Sequence, residues 1–201
     1  MEAVFLHFPG LKVAMPSDAS DAAGLLRTAI RDDNPVMFFE HKALYTSKCE
    51  VDDSPDFSVP FGKARILREG TDVTIIATHT YVQKSLNVAE KLAAEGISAE
   101  VIDPRTLVPM DWDAMAASVE KTGRAVVVHE AHRTGGAGAE IAAELSERTF
   151  RYLDSPILRL GAKSCPLPFN LGLENAVVPQ ESDIYAACKR ALYQALSLIH
   201  I

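Results

Sequence analysis

Runs of β-branched residues alternate with segments of helical period along most of this chain, and few architectures accommodate that alternation. Val73 to Thr78, Ile97 to Ile102, Ala125 to His129 and Pro156 to Leu160 read as strands. Helical patterns run from about Tyr81 to Glu95, Asp111 to Lys121, Gly138 to Phe150 and Glu181 to Leu196. Strands joined by helical crossovers lie parallel, and the helices then cover both faces of the sheet. Ala125 to His129 is apolar enough to be central. Lys63 to Leu67 is a fifth, short strand, closed by the turn Arg68-Glu69-Gly70-Thr71-Asp72 and placed at an edge. The expected fold class is therefore α/β, with five strands and four helices in one layered domain.

The first segment differs in kind. Leu11 to Met15 reads as a strand, Pro16-Ser17-Asp18 as an N-cap before a helix from about Ala19 to Ile30, and Val36 to Phe39 as the next strand. Two strands so close to Met1 have no upstream neighbours, so they read as the tail of a domain whose front is absent. From Lys42 to Pro60 the text becomes irregular. The expected organisation is a domain remnant over 1–45, a linker over 46–60 and one complete domain over 61–201.

Composition narrows the function classes. The chain has 201 residues, 48% of them hydrophobic, which is ample for one core. A formal charge of −7 without a basic cluster offers no electrostatic footprint for nucleic acid or anionic lipid. Cys49, Cys165 and Cys188 are scattered, with no CxxC pair, and read as reduced thiols. No apolar run reaches the roughly 18 residues that span a bilayer, and the start lacks a basic n-region. The expected location is the cytoplasm, or an organelle matrix if a transit segment is removed.

Four motifs could carry chemistry, and each has a plainer alternative. The turn Ala29-Ile30-Arg31-Asp32-Asp33-Asn34-Pro35 ends a helix, because Pro35 bars the α conformation at its predecessor. Carbonyls of Ala29 and Ile30 with oxygens of Asp32 and Asn34 could gather round a hard cation. Equally, the turn is a stop signal satisfied by water, and residues of this type favour that reading. The loop Thr134-Gly135-Gly136-Ala137-Gly138 precedes a helix and could hold an anion, but it lacks the third glycine of the dinucleotide fingerprint and carries Glu140 in the first turn. A tight packing turn is the alternative favoured. Glu130 and His132 end a strand and could form an acid–base pair, or point apart. Asp103-Pro104-Arg105-Thr106 reads more readily as a structural or interface ion pair than as a catalytic one. Residue types and spacing alone identify no active site.

Taken in order, these segments resemble the β subunit of the thiamine diphosphate-dependent 2-oxo acid dehydrogenase decarboxylating component, as in pyruvate, branched-chain and acetoin dehydrogenase complexes. His7-Phe8-Pro9-Gly10-Leu11-Lys12-Val13 and Ala29 to Pro35, with Glu40, are similar to the end of that family's pyrimidine-binding domain. Phe61-Gly62-Lys63-Ala64, Arg68 to Thr74, Asp103 to Pro109, Lys121-Thr122-Gly123-Arg124 and Thr134-Gly135-Gly136 are similar to its transketolase-type C-terminal domain.

The resemblance implies a three-layer C-terminal domain with one antiparallel edge strand, preceded by the tail of a truncated pyrimidine-binding domain. It implies potassium at the first turn, held by Ala29, Ile30, Asp32 and Asn34 with one further ligand from upstream. The family's cofactor-activating glutamate and active-site histidine lie before the region matched here, and His7 corresponds to neither. The implied cofactor, thiamine diphosphate, therefore belongs to the complete enzyme, which passes an acyl group to a lipoyl arm. Implied partners are an α subunit, a second β subunit and, in some complexes, the acyltransferase core. Leu196 to Ile201 departs from the family's usual ending, which bears on core docking. The expected role is a β-subunit portion lacking the catalytic half and serving assembly. The alternative is a non-catalytic dimerisation or anion-binding module.

Overall fold

The computed structural model describes residues 1–197. The first segment forms α1 (Glu2–Leu6), β1 (Lys12–Ala14), α2 (Ala19–Ile30) and β2 (Val36–Phe38). The remainder forms β3 (Arg65–Arg68), β4 (Val73–Ala77), α3 (Thr80–Ala93), β5 (Ala99–Asp103), β6 (Thr106–Val108), α4 (Trp112–Thr122), β7 (Ala125–His132), α5 (Ala137–Thr149), β8 (Leu158–Ala162), α6 (Leu171–Val177) and α7 (Glu181–Ser197). Leu198 to Ile201, part of the divergent ending, lie outside the described residues.

Five strands make the main sheet in the order β3-β5-β4-β7-β8, parallel except for β3, which runs antiparallel along β5. Period-two alternation sends alternate residues of each strand to opposite faces. Val73, Ile75, Val101, Val126 and Val128 pack under α3 and α7 against Tyr81, Leu92 and Ile184. Ile76, Ile102 and Val127 face α4 and α5 and meet Met115, Val119, Ile141 and Leu145. The result is a three-layer α/β/α domain.

Three elements escape the sequence reading. β6 is three residues long and flanked by Arg105 and Pro109, too short to show a period. α1 has five residues, and α6 has seven and lies in a proline-rich stretch. β6 matters most, because it gives the first strands a neighbour from downstream that no local pattern marked. β1 pairs parallel with β2 on one side and antiparallel with β6 on the other, in a separate sheet of order β2-β1-β6. Val13, Met15 and Leu107 form a small core with it.

Residues 46–60 hold no helix or strand but are tied to α2. Thr28 donates its hydroxyl to Val59 O at 2.7 Å, and Arg27 reaches Ser54 O and Phe57 O. Val59 lies on Gly24, where a Cβ would fall 2.4 Å from Val59 Cγ2, so only glycine admits this contact.

At the amino ends of the strands, Glu100 is fully buried. It accepts from Lys121 Nζ, Ser118 Oγ and the Gly70 N–H, the last at 3.2 Å. Thr74 Oγ1 joins Ser118 and Thr122 at 2.8 Å each. Removing a cation from a buried carboxylate costs about 3 kcal/mol or more, because the remaining charge is left unpaired. Lys121→Met is therefore expected to lower unfolding stability by about that amount in urea titration. The double variant Lys121→Met, Glu100→Gln is expected to recover most of the loss.

Candidate functional site

Strand order fixes where a ligand would enter. From β4 the chain crosses through α3 to β5 on one side, then from β5 passes to β7 on the other side of β4. That reversal leaves a crevice at the carboxyl ends of β4 and β7, the position at which open α/β sheets hold ligands. His79 follows β4 there, and His129 and Glu130 sit in β7. His41, which caps a short 3₁₀ turn over Lys42–Leu44, reaches the same place.

Neighbours set the His41 ring. Nδ1 accepts from the Ala43 N–H at 3.2 Å, so the Nε2 proton is directed at Glu130 Oε2. That contact holds the Glu130 carboxyl below its usual range, against the opposing effect of burial. His79 Nε2 lies 3.0 Å from Phe39 O, and its ring meets that of His41 edge-on at 5.5 Å. Burial pushes the His79 pKa down. Its backbone has φ 51° and ψ −132°, a region that side-chain-bearing residues rarely occupy and that marks local strain. The arrangement is a carboxylate–imidazole pair competent to position a proton. Beside it opens a cavity of about 300 Å³ lined by Glu130, His132, Thr134 and Gly136. A larger one of about 680 Å³, lined by His7, Leu107, Trp112 and Glu140, lies across the glycine loop.

Glu130 and His132 are not brought together. His132 Nδ1 bonds Lys163 O at 2.8 Å, while Glu130 turns to His41. His41 and His79 were missed by sequence reading, since they are distant in sequence and neither sits in a motif. The glycine loop serves packing: a Cβ on Gly136 would fall 2.5 Å from the His129 ring, and one on Gly138 2.6 Å from it. His129 fills that space, buried, with neither ring nitrogen hydrogen-bonded among the described residues, and burial pushes its pKa down. Arg105 spans the two segments, its guanidinium donating to Asp21 Oδ1 at 3.0 Å.

The turn ending α2 keeps Ala29, Ile30, Asp32 and Asn34 in sequence order at one corner. Ala29 O accepts from the Asp32 N–H at 3.3 Å, and Asp32 Oδ1 accepts from the Asn34 backbone and side-chain N–H groups at 2.9 Å each. Asp32 Oδ2 is held by Lys12 Nζ, which is the main reason the carboxyl is held down at about 2. Among the described residues, no group of three or more His, Cys, Asp or Glu is arranged to hold a metal ion. No helix among them is long and apolar enough to cross a membrane.

Residues 62–184 match the family model described as the transketolase C-terminal domain, and residues 1–48 match that of the transketolase pyrimidine binding domain. The chain belongs to the transketolase C-terminal domain family. Its curated relatives include pyruvate dehydrogenase E1 component subunit beta-2, mitochondrial, from Oryza sativa subsp. japonica, 46% identical over 96% of this chain and 52% of its own length. Pyruvate dehydrogenase E1 component subunit beta from Staphylococcus epidermidis is 45% identical over 96% of this chain and 59% of its own. The corresponding subunit from Rhizobium meliloti is 43% identical over 94% and 41%. The chain thus spans about half the length of these relatives. Among solved structures, one described as a split gene transketolase, inactive beta4 tetramer, superposes with a TM-score of 0.75 at 28% identity, covering 94% of this chain and 60% of that one. In this transketolase-type domain the glycine loop and His129 form one packing unit. Gly138→Ala is expected to cost about 2 kcal/mol by overpacking. Adding His129→Ala is expected to recover most of that loss in urea unfolding, and an equal loss in both variants would exclude His129 as the obstructing group.

Proposed function

We propose that this chain acts as the β-subunit portion of a thiamine diphosphate-dependent 2-oxo acid dehydrogenase decarboxylating component, and that its own contribution is assembly rather than chemistry. The observation that carries this reading is 43–46% identity, over nearly the whole chain, to pyruvate dehydrogenase E1 β subunits. The complete enzyme would decarboxylate a 2-oxo acid and pass the acyl group to lipoyl groups. Its partners would be an α subunit, a second β subunit and the acyltransferase core, in the cytoplasm or an organelle matrix.

Thiamine diphosphate does not fit the described residues alone. A diphosphate held through a divalent ion needs a cluster of oxygen ligands, and no such carboxylate group is present among them. The one glycine-rich helix start is closed by His129 and carries Glu140 in its first turn, which opposes an anion. The cofactor would therefore be held elsewhere in the complete assembly. The isolated chain is expected to release no carbon dioxide from pyruvate with thiamine diphosphate and magnesium, yet to co-elute with a coexpressed cognate α subunit in size-exclusion chromatography. Turnover by the isolated chain would refute the assembly role. Self-association is a second reading, favoured by the solved relative described as a beta4 tetramer, and sedimentation at high concentration tests it.

A potassium ion held by Ala29, Ile30, Asp32 and Asn34 is a separate part of the proposal. The Lys12 ammonium already engages Asp32 and would compete for that oxygen. Potassium is thus expected to raise the melting temperature of Lys12→Met more than that of the parent chain. Equal responses to potassium and to choline in both would remove the site.

A further inference from the structure

Cations and carboxylates are unevenly matched where the first segment meets the main domain. The Arg105 guanidinium goes to Asp21 on α2, and Arg65 on β3 goes to Asp18 at 2.9 Å and Asp21 at 3.4 Å. Asp103, at the end of β5, is fully buried, yet it takes part in no ion pair among the described residues. Its contacts are the Ser17 hydroxyl, ahead of α2, and the backbone N–H of Arg105 at 2.8 Å. The turn between them is tightly held: Arg105 has φ 59°, its carbonyl accepts from the Met15 N–H at 2.8 Å, and its Nε donates to Lys63 O. β6 begins at the next residue and pairs with β1.

A carboxylate in that position has lost its water, faces a second carboxylate on Asp21 and makes no ion pair among the described residues, although the Arg105 charge acts on it from nearby. Burial without an ion pair favours the neutral acid, which can donate its proton to Ser17 Oγ while still accepting from Arg105. Burial, with Asp21 adding to it, outweighs both the hydrogen bonds that Ser17 and Arg105 donate to the ionised form and the attraction of the Arg105 charge, so the carboxyl is pushed up to about 7.

We propose that Asp103 is a proton-operated latch between the two segments: protonated, it locks β1 and α2 against β6, and ionised, it draws Arg105 away from Asp21 and loosens that contact. The latch goes beyond the assembly role and does not depend on it. The direction follows from linkage. An exposed aspartate titrates near 3.9, so between there and about 7 the closed state keeps a proton that the open state has lost. The latch's stabilisation is therefore complete below about pH 4, declines as pH rises towards 7, and changes little above it.

Native-state hydrogen exchange on the whole chain tests this, comparing amides of β1 and α2 with those of β4 and β7 after correction for intrinsic rates. Between pH 5 and 7, opening of β1 and α2 is expected to grow by up to about tenfold per pH unit relative to the main sheet, and then to level off. Asp103→Asn keeps a donor for Ser17 and an acceptor for Arg105, and should abolish that slope. The proposal is overturned if the parent shows no slope, if main-sheet amides share it fully, if Asp103→Asn retains it, or if Glu130→Gln removes it instead. Should Asp103→Asn not fold, carboxyl ¹³C titration of Asp103 in the parent decides: a midpoint near 7 supports the latch, and one below 5 overturns it.

Discussion

The pairing of Val13 and Ala14 with Val108 and Thr106 is the contact on which the arrangement of this chain depends. Two three-residue parallel strands with one crossover helix bury too little to stand alone in water. β6 supplies the missing neighbour from the far side of the connector, and Val13 and Ala14 become fully buried as a result. Beside that contact and its small apolar core lies a charged cluster of Arg65, Arg105, Asp18, Asp21 and Asp103. The joint thus combines a short apolar strand pairing with a polar network that has one carboxyl more than its cations can match.

Two ends of the main sheet have been built for different tasks. At the amino ends, Glu100, Lys121, Ser118, Thr74 and Thr122 satisfy one another, and such a closed network holds strand spacing without presenting anything to a ligand. At the carboxyl ends, His79 carries a strained backbone, His129 has no hydrogen-bond partner among the described residues and Glu130 is joined to His41 from the first segment. This is the point at which strand order reverses, and His41 of the first segment touches the main domain there.

Legibility followed length and period. The main strands and helices showed in the sequence because each repeats its pattern long enough to be counted, and most bounds moved by only one or two residues. β6 was invisible because three residues between Arg105 and Pro109 have no period. The same rule held for the crevice. Glu130 is legible at a strand end, but its partner His41 is 89 residues away, and nothing local marks the pair. The glycine run was legible as a turn. That its absent Cβ atoms make room for the His129 ring was not.

By itself, then, the sequence determined the layered α/β plan and the order of its elements, since these are written in hydrophobic period and turn chemistry. The resemblance of its motifs, carried by runs of adjacent residues, was also readable there. Tertiary structure alone decided which carboxylate met which cation, why Asp103 makes no ion pair among the described residues, and where the first two strands find a third. Those outcomes depend on contacts between residues tens of positions apart, and pairing at that range is set by packing, which no local pattern encodes.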